Sequence, residues 1–292
     1  MKHAFLILAH NEPYILEVLL SQLSKGADDI YVHVDKKVAD EEFDKIKSIC
    51  VAYGGGVQLV STRIDVRWGD SSMLEAEFIL FKEASKTYHD FYHLLSGVDL
   101  AIKPLSVIHD FFDKHSNEIF MTISDTDVDK RRMDFCVNYY HPFIRLLRKK
   151  IIGKLFLKLD DLSVYIQRLF CLKRNPMLNL FKGHQWMSLP HDFMLFLLSK
   201  EKYILSRFKY TCCADEIAIQ TILMDSEYKK RLYVPIQNQN AALRLIDWNR
   251  GEPYVWKKDD IEEIMNSNNF FARKFSSFVD RDIVDFIKLK CS

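Results

Sequence analysis

The sequence predicts an α/β fold in which a mostly parallel sheet is flanked by helices on both faces, with a helical insertion in the middle of the chain. Short apolar runs typical of buried strands alternate with segments of helical periodicity over residues 1–125. The basic segment Pro142–Lys158 interrupts this alternation, which resumes in the last third of the chain. Because no internal repeat or long linker divides the sequence, one domain is expected over residues 1–292.

The predicted elements follow one another at short intervals. Strands are predicted at His3–Ala9, Ile30–Val34, Val57–Val60, Phe91–Leu95, Gln185–Leu189, Leu232–Ile236 and Leu243–Ile246. Helices are predicted at Tyr14–Leu23, Glu41–Ile49, Ser71–Ala84, around Asp215–Leu223 and in a polar tail. Two serines begin the helix Ser71–Ala84, and Glu75 is placed for a capping interaction with them. Ligands of parallel sheets bind beyond the carboxyl ends of the strands, so a site is expected at Ala9–Asn11, Asp35 and Ser96–Asp99.

Composition excludes several classes of protein. The 41 basic residues against 40 acidic ones leave a net charge of +1, which argues against a nucleic-acid binder, and the nine glycines leave little room for glycine-rich phosphate loops. The six cysteines lack CxxC spacing, so buried free thiols in a reducing compartment are expected. No signal peptide and no run of ~20 apolar residues is found, and we therefore expect a soluble cytoplasmic protein.

The segment Pro142–Lys158 has two interpretations. It carries six basic residues and no acidic one: Arg145, Arg148, Lys149, Lys150, Lys154 and Lys158. Such a segment can contact an anionic membrane peripherally. The six charges do not form one face of a helix, however, which favours a solvated or partner-facing helix.

Two motifs suggest metal binding. His89 and His93 resemble a zinc pair, but in a strand residues four apart are separated by roughly 13 Å, so zinc is rejected. Asp125 and Asp127 follow the apolar run Ile119–Ile123 and offer hard oxygen ligands for Mn²⁺ or Mg²⁺. Asp-x-Asp triplets also arise by chance in loops, and the chain contains two more.

Other candidates are carboxylates, cations and tryptophans. Asp215 and Glu216 open a predicted helix, where the helix dipole favours acids, but the pair could equally supply a general base. Arg273 and Lys274 stand between aromatic residues, either as a solvated turn or as fixed charges that neutralise a leaving diphosphate without metal. Trp68, Trp186 and Trp248 either stack on sugars or belong to the core.

Eight segments in order resemble the core-2/I-branching β-1,6-N-acetylglucosaminyltransferase family, which also contains the peptide O-xylosyltransferases. They are FLILAHNE, YVHVDKK, VRWGDSSMLEAEFILFKEA, FYHLLSGVDLAIKPL, GHQWMSLP, ADEIAIQTIL, LRLIDW and FFARKF. Each motif alone is modest, but the series in family order covers almost the whole chain. The resemblance implies a Rossmann-like GT-A fold and an inverting, metal-independent glycosyltransferase without a cofactor.

The resemblance also implies residue roles. Glu216 matches the catalytic base, Lys274 a residue that contacts the donor diphosphate, Asp35 a residue at the nucleotide, and Trp248 an acceptor-side aromatic. Ser96–Asp99 occupies the place of the metal-binding Asp-x-Asp of other GT-A enzymes. The full donor-binding expectation is His10, Asp35, Trp68, Ser96, Gly97, Asp99, Arg250, Arg273 and Lys274, and the acceptor-binding expectation is Gln185, Trp186, Asp215, Arg244 and Trp248.

The sequence departs from the family in one loop. Animal members carry a second diphosphate-binding Arg in a Cys-bounded loop, whereas here Asn249–Tyr254 is shorter and lacks cysteines. Arg250 is the nearest candidate, with Lys257 or Lys258 as substitutes. Without the family's disulfides, stem and anchor, the chain fits a bacterial-type version at the inner face of the plasma membrane.

The expected activity is transfer of a sugar from a UDP-sugar to a hydroxyl of a glycan or lipid-linked saccharide. N-acetylglucosamine is the favoured sugar and xylose the alternative. Residues 1–125 are expected to form the nucleotide-sugar half, 139–175 the helical insertion and 180–292 the acceptor and catalytic half. A metal-dependent transferase using Asp125 and Asp127, and a non-catalytic UDP- or glycan-binding homologue, remain open.

Overall fold

The computed structural model describes residues 1–124, 126–146, 153–175 and 177–291. Within these ranges the strands are β1 (His3–Ala9), β2 (Asp29–Val34), β3 (Val57–Leu59), β4 (Phe91–Ser96), β5 (Asp99–Ala101), β6 (Ser188–Pro190), β7 (Arg244–Ile246) and β8 (Phe271–Arg273). The helices are α1 (Pro13–Leu23), α2 (Asp40–Ala52), α3 (Ser72–Ala84), α4 (Leu105–Lys114), α5 (Asp127–Asn138), α6 (Gly153–Leu169), α7 (His191–Ser199), α8 (Glu201–Phe208), α9 (Ala218–Met224), α10 (Ile261–Asn266) and α11 (Arg281–Cys291).

The central sheet has the order β3-β2-β1-β4-β6. β1 pairs in parallel with β2 and β4, and β2 pairs in parallel with β3, while β6 runs antiparallel to β4. This confirms the mostly parallel sheet. In register, Ala9 lies opposite Val34 and Leu8 opposite Ser96, so the three central strands end at one edge.

The sheet is apolar on both faces because both faces are covered. All seven residues of β1 are buried. Phe5, Ile7 and Ala9 join one apolar cluster, which includes residues of α1 and α11, and the alternate residues Ala4, Leu6 and Leu8 join a second cluster with residues of α3 and α7. The alternation of β1 between two cores makes an α/β/α arrangement, as the sequence predicts.

A second, three-stranded sheet has the order β5-β8-β7 and is attached to the first by Arg244. Arg244 begins β7 and is only 2% exposed. Its Nη2 donates to the carbonyl oxygens of Leu94 and Met187 at 3.1 and 3.0 Å, and its Nη1 donates to Ser188 Oγ at 3.2 Å. Arg244 was expected to contact an acceptor, but the structure places its guanidinium inside the protein, where it joins the two sheets.

Several predicted elements differ in the structure. Leu232–Ile236 makes only one bridge, from Leu232 to Ile119, because Pro235 has no N–H and Val234 and Ile236 are exposed. Ile119–Ile123 likewise forms isolated bridges only. Ser71 makes no side-chain cap and donates instead to the Lys209 carbonyl at 3.0 Å, so the predicted capping interaction is absent.

The insertion is organised around a buried pair. His141 Nδ1 lies 2.6 Å from Oδ2 of Asp160, a residue of α6, and both side chains are almost fully buried. Of the basic segment Pro142–Lys158, positions 147–152 lie outside the described residues. Across the described ranges, no helix has the length and apolarity that a membrane crossing requires.

The six cysteines are free thiols. Cys50, Cys136 and Cys291 are buried, as expected, but Cys171 is exposed and Cys212 and Cys213 are half-buried. The expectation of burial therefore holds for half of them.

We predict that Arg244→Met lowers the free energy of unfolding by about 3 kcal/mol, because buried carbonyl oxygens lose their charged donor. Urea unfolding measures this change. Arg281→Met is the control, since Arg281 is 63% exposed and its loss is expected to cost less than about 0.5 kcal/mol. If Arg244→Met left the stability unchanged and raised the KM for the acceptor, Arg244 would contact the acceptor, as the sequence predicts.

Candidate functional site

The carboxyl ends of β1, β2 and β4 converge closely enough to form one edge. Asp35 N donates to the Ala9 carbonyl and Gly97 N donates to the Leu8 carbonyl, both at 2.9 Å. A Cβ on Gly97 would lie 3.2 Å from Ala9 Cβ, so glycine allows this close approach of the two chains. His10, Asp35, Ser96 and Gly97, which the sequence places at a site, are thus brought to one edge.

Asp35 is held by two basic residues that sequence reasoning missed. Lys37 Nζ lies 3.4 Å from Asp35 Oδ2, and Arg63 donates to the Asp35 carbonyl at 2.9 Å. Lys37 also donates to the Val66 carbonyl, which ties Asp35 to the loop that carries Trp68. Trp68 is 64% exposed in this loop. The two lysines that follow Asp35 in the sequence could have indicated the contact with Lys37.

The environment of His10 is cationic. Desolvation, followed by the charge of Arg273, lowers the pKa of His10. The charges of Lys37 and Lys274 act in the same direction, and the charge of Asp35 opposes them. A neutral imidazole beside three cations is an environment that favours an anionic ligand.

Arg273 is fixed in this environment by two contacts. Its Nη1 lies 2.8 Å from Asp99 Oδ1, and its guanidinium lies 4.3 Å from the centre of the Trp186 ring. Asp99 is 1% exposed and accepts from Ser96 N at 2.8 Å through its other oxygen. Ser96, Asp99 and Trp186, predicted as ligand contacts, therefore support Arg273.

Lys274 is placed by its main chain. Its carbonyl accepts from Trp256 N at 3.0 Å, and its side chain is half-buried. No carboxylate in the described part of the chain forms an ion pair with it. Its charge is close enough to help lower the pKa of His10.

The guanidinium of Arg250 is engaged by three carboxylates. It donates to Asp247 and, at 2.8 Å each, to Asp260 and Glu263. Three of the five N–H groups of an arginine are thereby used.

Arg250 lines a cleft of about 450 Å³ together with Trp256, whose backbone N–H donates to the Lys274 carbonyl. Lys258, one of the two substitutes for Arg250 that the sequence suggested, pairs with Asp282 at 3.1 Å. Lys257, the other substitute, is exposed.

Glu216 occupies a 3₁₀ turn, Ala214–Glu216, rather than the first turn of an α-helix. Its side chain is 33% exposed, and its Oε2 lies 3.6 Å from Lys182 Nζ. Its carbonyl accepts from Gly183 N at 2.9 Å. A Cβ on Gly183 would lie 1.9 Å from the Thr122 carbonyl oxygen, so only glycine fits. Lys182 and Gly183 were missed, although Gly183 begins a motif that was recognised.

A second group of carboxyls lies behind Glu216. Glu77 in α3 is fully buried; its Oε1 accepts from Gln185 at 3.3 Å and its Oε2 has no partner. Burial, and then the charge of Asp215, raise the pKa of Glu77 well above its ordinary value. Burial, followed by the charge of Glu216, raises the pKa of Asp215 to about 7. Glu77 was missed, but its spacing from Leu74 and Phe81 marks the buried face of the helix.

The segment 182–186 connects the two ends of the site. Lys182 contacts Glu216 at one end, and Trp186 underlies Arg273 at the other. Four residues of extended chain span at most about 14 Å. Between them, the His184 ring stacks on Trp248, with centroids 5.5 Å apart and planes at 10°, and Trp248 is 46% exposed.

The Asp-x-Asp motif is partly described. Asp127 begins α5 and is exposed, while the prediction for Asp125 lies outside the described residues. His89 is buried and lies 2.8 Å from Asp29, whereas His93 lies within β4 and contacts Ser188 and His3, so the two imidazoles have separate partners. Among the described side chains, no group of three or more His, Cys, Asp or Glu is arranged to hold a metal ion.

We predict that Glu77→Gln makes the protein less sensitive to rising pH. Since the pKa of Glu77 is raised by folding, the folded state keeps a proton that the unfolded state releases, and stability falls as the pH rises through the folded-state value. The melting temperature of Glu77→Gln should therefore fall less than that of the wild type between pH 5 and pH 8. Glu83→Gln, on the surface of the same helix, is the control. An identical pH dependence in all three proteins would contradict the assignment.

Comparison with known proteins supplies the family. The family model described as "Branch: Core-2/I-Branching enzyme" matches residues 3–270, which includes Glu216 and Trp248 but ends before Arg273 and Lys274. A search of curated proteins finds no match. The match covers most of the chain, and the mostly parallel sheet flanked by helices is that of a GT-A-like glycosyltransferase. The chain thus belongs to the core-2/I-branching enzyme family.

Proposed function

We propose that this protein is an inverting, metal-independent glycosyltransferase that moves a sugar from a UDP-sugar to an acceptor hydroxyl. The family supports a glycosyltransferase with a nucleotide-sugar donor and a glycan acceptor. The observation that carries the finer proposal is that an accessible carboxylate, Glu216, contacts one end of the segment 182–186, whereas Arg273, which precedes Lys274, packs on Trp186 at the other end.

In the proposed reaction, Glu216 accepts the proton of the acceptor hydroxyl as that oxygen attacks the anomeric carbon. The bond from this carbon to the diphosphate oxygen breaks, and UDP leaves with the bonding electron pair. Attack and departure take place on opposite faces of the carbon, so its configuration inverts. A base and a leaving-group site at separate ends suit this single displacement.

Lys274 and Arg273 stabilise the charge that develops on the diphosphate. Arg273 keeps its position through Asp99 and Trp186, so its guanidinium needs no reorganisation when UDP leaves. Trp248 and His184, next to Gly183 and Glu216, offer an aromatic surface for the acceptor sugar.

N-acetylglucosamine is the proposed sugar, with xylose as the alternative, and a glycan or lipid-linked saccharide is the proposed acceptor. A thermal-shift comparison of UDP-N-acetylglucosamine with UDP-xylose distinguishes the donors. A ligand at 100 times its Kd adds ~2.7 kcal/mol of stability. Binding of UDP without turnover on any acceptor would instead indicate a non-catalytic homologue.

We predict that Glu216→Gln lowers the rate of acceptor-dependent UDP release by ~10²–10⁴, because the amide cannot accept the proton. Binding of UDP, measured by thermal shift, should be retained. Glu227→Gln is the matched control, since Glu227 is 84% exposed and pairs only with Lys230. Near-wild-type turnover in Glu216→Gln would remove Glu216 from the mechanism.

We predict that Lys274→Met lowers turnover by ~10²–10³, since one stabiliser of the leaving group is lost. Lys290→Met, at an exposed lysine of α11, should keep full activity. The wild type should be fully active in EDTA. Loss of activity in EDTA that Mn²⁺ restores would contradict the cation mechanism and favour a metal at Asp125 and Asp127.

A further inference from the structure

Helix α6 presents two opposite faces. The inward face contains Gly153, Asp160, Val164 and Gln167, all buried. The outward face contains Leu155, Leu162, Ile166 and Leu169, which are 57%, 51%, 44% and 62% exposed. These four leucine and isoleucine residues, which we call the α6 apolar face, follow a spacing of seven, four and three residues and therefore lie in one row.

Exposed apolar residues also follow the helix in the chain. Phe170 is 71% exposed, Leu172 is 57% exposed and Met177 is 93% exposed. Single exposed apolar residues are ordinary, but a contiguous row of this kind marks a surface that binds something.

The charges around the α6 apolar face are mostly basic. Lys154 and Lys158 are exposed and lie along one flank of the row, with Arg168 and Asp161 further round the helix. The neighbouring acid, Asp160, points inward to His141. An apolar row with basic residues along its edge is typical of a helix that lies in the headgroup region of an anionic bilayer.

We propose that α6 docks this protein on an anionic membrane, with the α6 apolar face buried at the boundary between headgroups and acyl chains. Lys154 and Lys158 then contact lipid phosphates. A second copy of the chain is the less favoured occupant, because it would add the same basic flank to the interface.

The docking surface is tied to the candidate active site. Arg145, in the insertion before α6, lies 2.8 Å from Asp70, and Gly69 next to Asp70 accepts from Cys213 N at 2.9 Å. Cys213 immediately precedes the turn that carries Glu216. The insertion that carries α6 therefore contacts, through Arg145, the segment that leads to Glu216. The membrane contact does not rest on the proposed function.

Vesicle flotation tests the proposal with the full-length protein. Vesicles of phosphatidylcholine alone are compared with vesicles that contain 30% phosphatidylglycerol. We expect recovery with the anionic vesicles only. The double variant Leu162→Asp/Ile166→Asp should lower the partition coefficient at least ~100-fold, because two apolar side chains are no longer buried. Lys154→Gln/Lys158→Gln should lower it ~30-fold, from the attraction of about 1 kcal/mol per basic residue.

Leu289→Asp is the control, since Leu289 is 83% exposed on α11, away from the row. It should float like the wild type, and the melting temperature of every variant shows that it is folded. Equal recovery with the two kinds of vesicle, or unchanged flotation of Leu162→Asp/Ile166→Asp, would overturn the proposal. The wild type could instead fail to float and form a dimer in light scattering, while the double variant is a monomer. That result would assign the surface to a second copy of the chain.

Discussion

The buried guanidinium of Arg244 is the interaction on which the geometry of the site depends. Although burial lowers the pKa of Arg244 to about 9, the group is still charged at neutral pH and must be matched by acceptors. Those acceptors belong to β4, β6 and the residue before β6, so β7 is held against the central sheet. β7 pairs with β8, with Ile246 opposite Arg273. Arg273 consequently meets Asp99, and Lys274 follows it to the edge where β1 and β2 end.

Charge separation is the second constraint. The cations near His10 and the carboxylates near Glu216 lie at different ends of the segment 182–186, so they do not neutralise one another. Within the acidic group, burial and mutual repulsion raise the pKa values of Glu77 and Asp215. A site arranged in this way keeps positive charge at one end and an ionisable carboxylate at the other, without either cancelling the other.

Local patterns in the sequence predict local structure well and long-range contacts poorly. The bounds of β1 are confirmed residue for residue, because a continuous apolar run between polar residues has one stable outcome in a covered sheet. The resemblance placed His10, Asp35 and Arg273 at one site, and the structure brings them together. The role of Arg244 was not predictable, since its partners are set by tertiary packing: Leu94 is 150 positions from Arg244. The steric need for Gly183 arises only when Thr122 packs against it.

The position of β8 has a consequence for how the site is assembled. β8 is the middle strand of the second sheet, yet it follows β5 and β7 in the chain, so neither of those strands has its partner until β8 is inserted between them. The turn that carries Glu216 precedes β8, whereas Arg273 and Lys274 arrive with it. The nascent chain therefore completes the carboxylate end of the site before the cationic end, and the affinity of the site for an anion becomes a measure of whether the last strand is inserted.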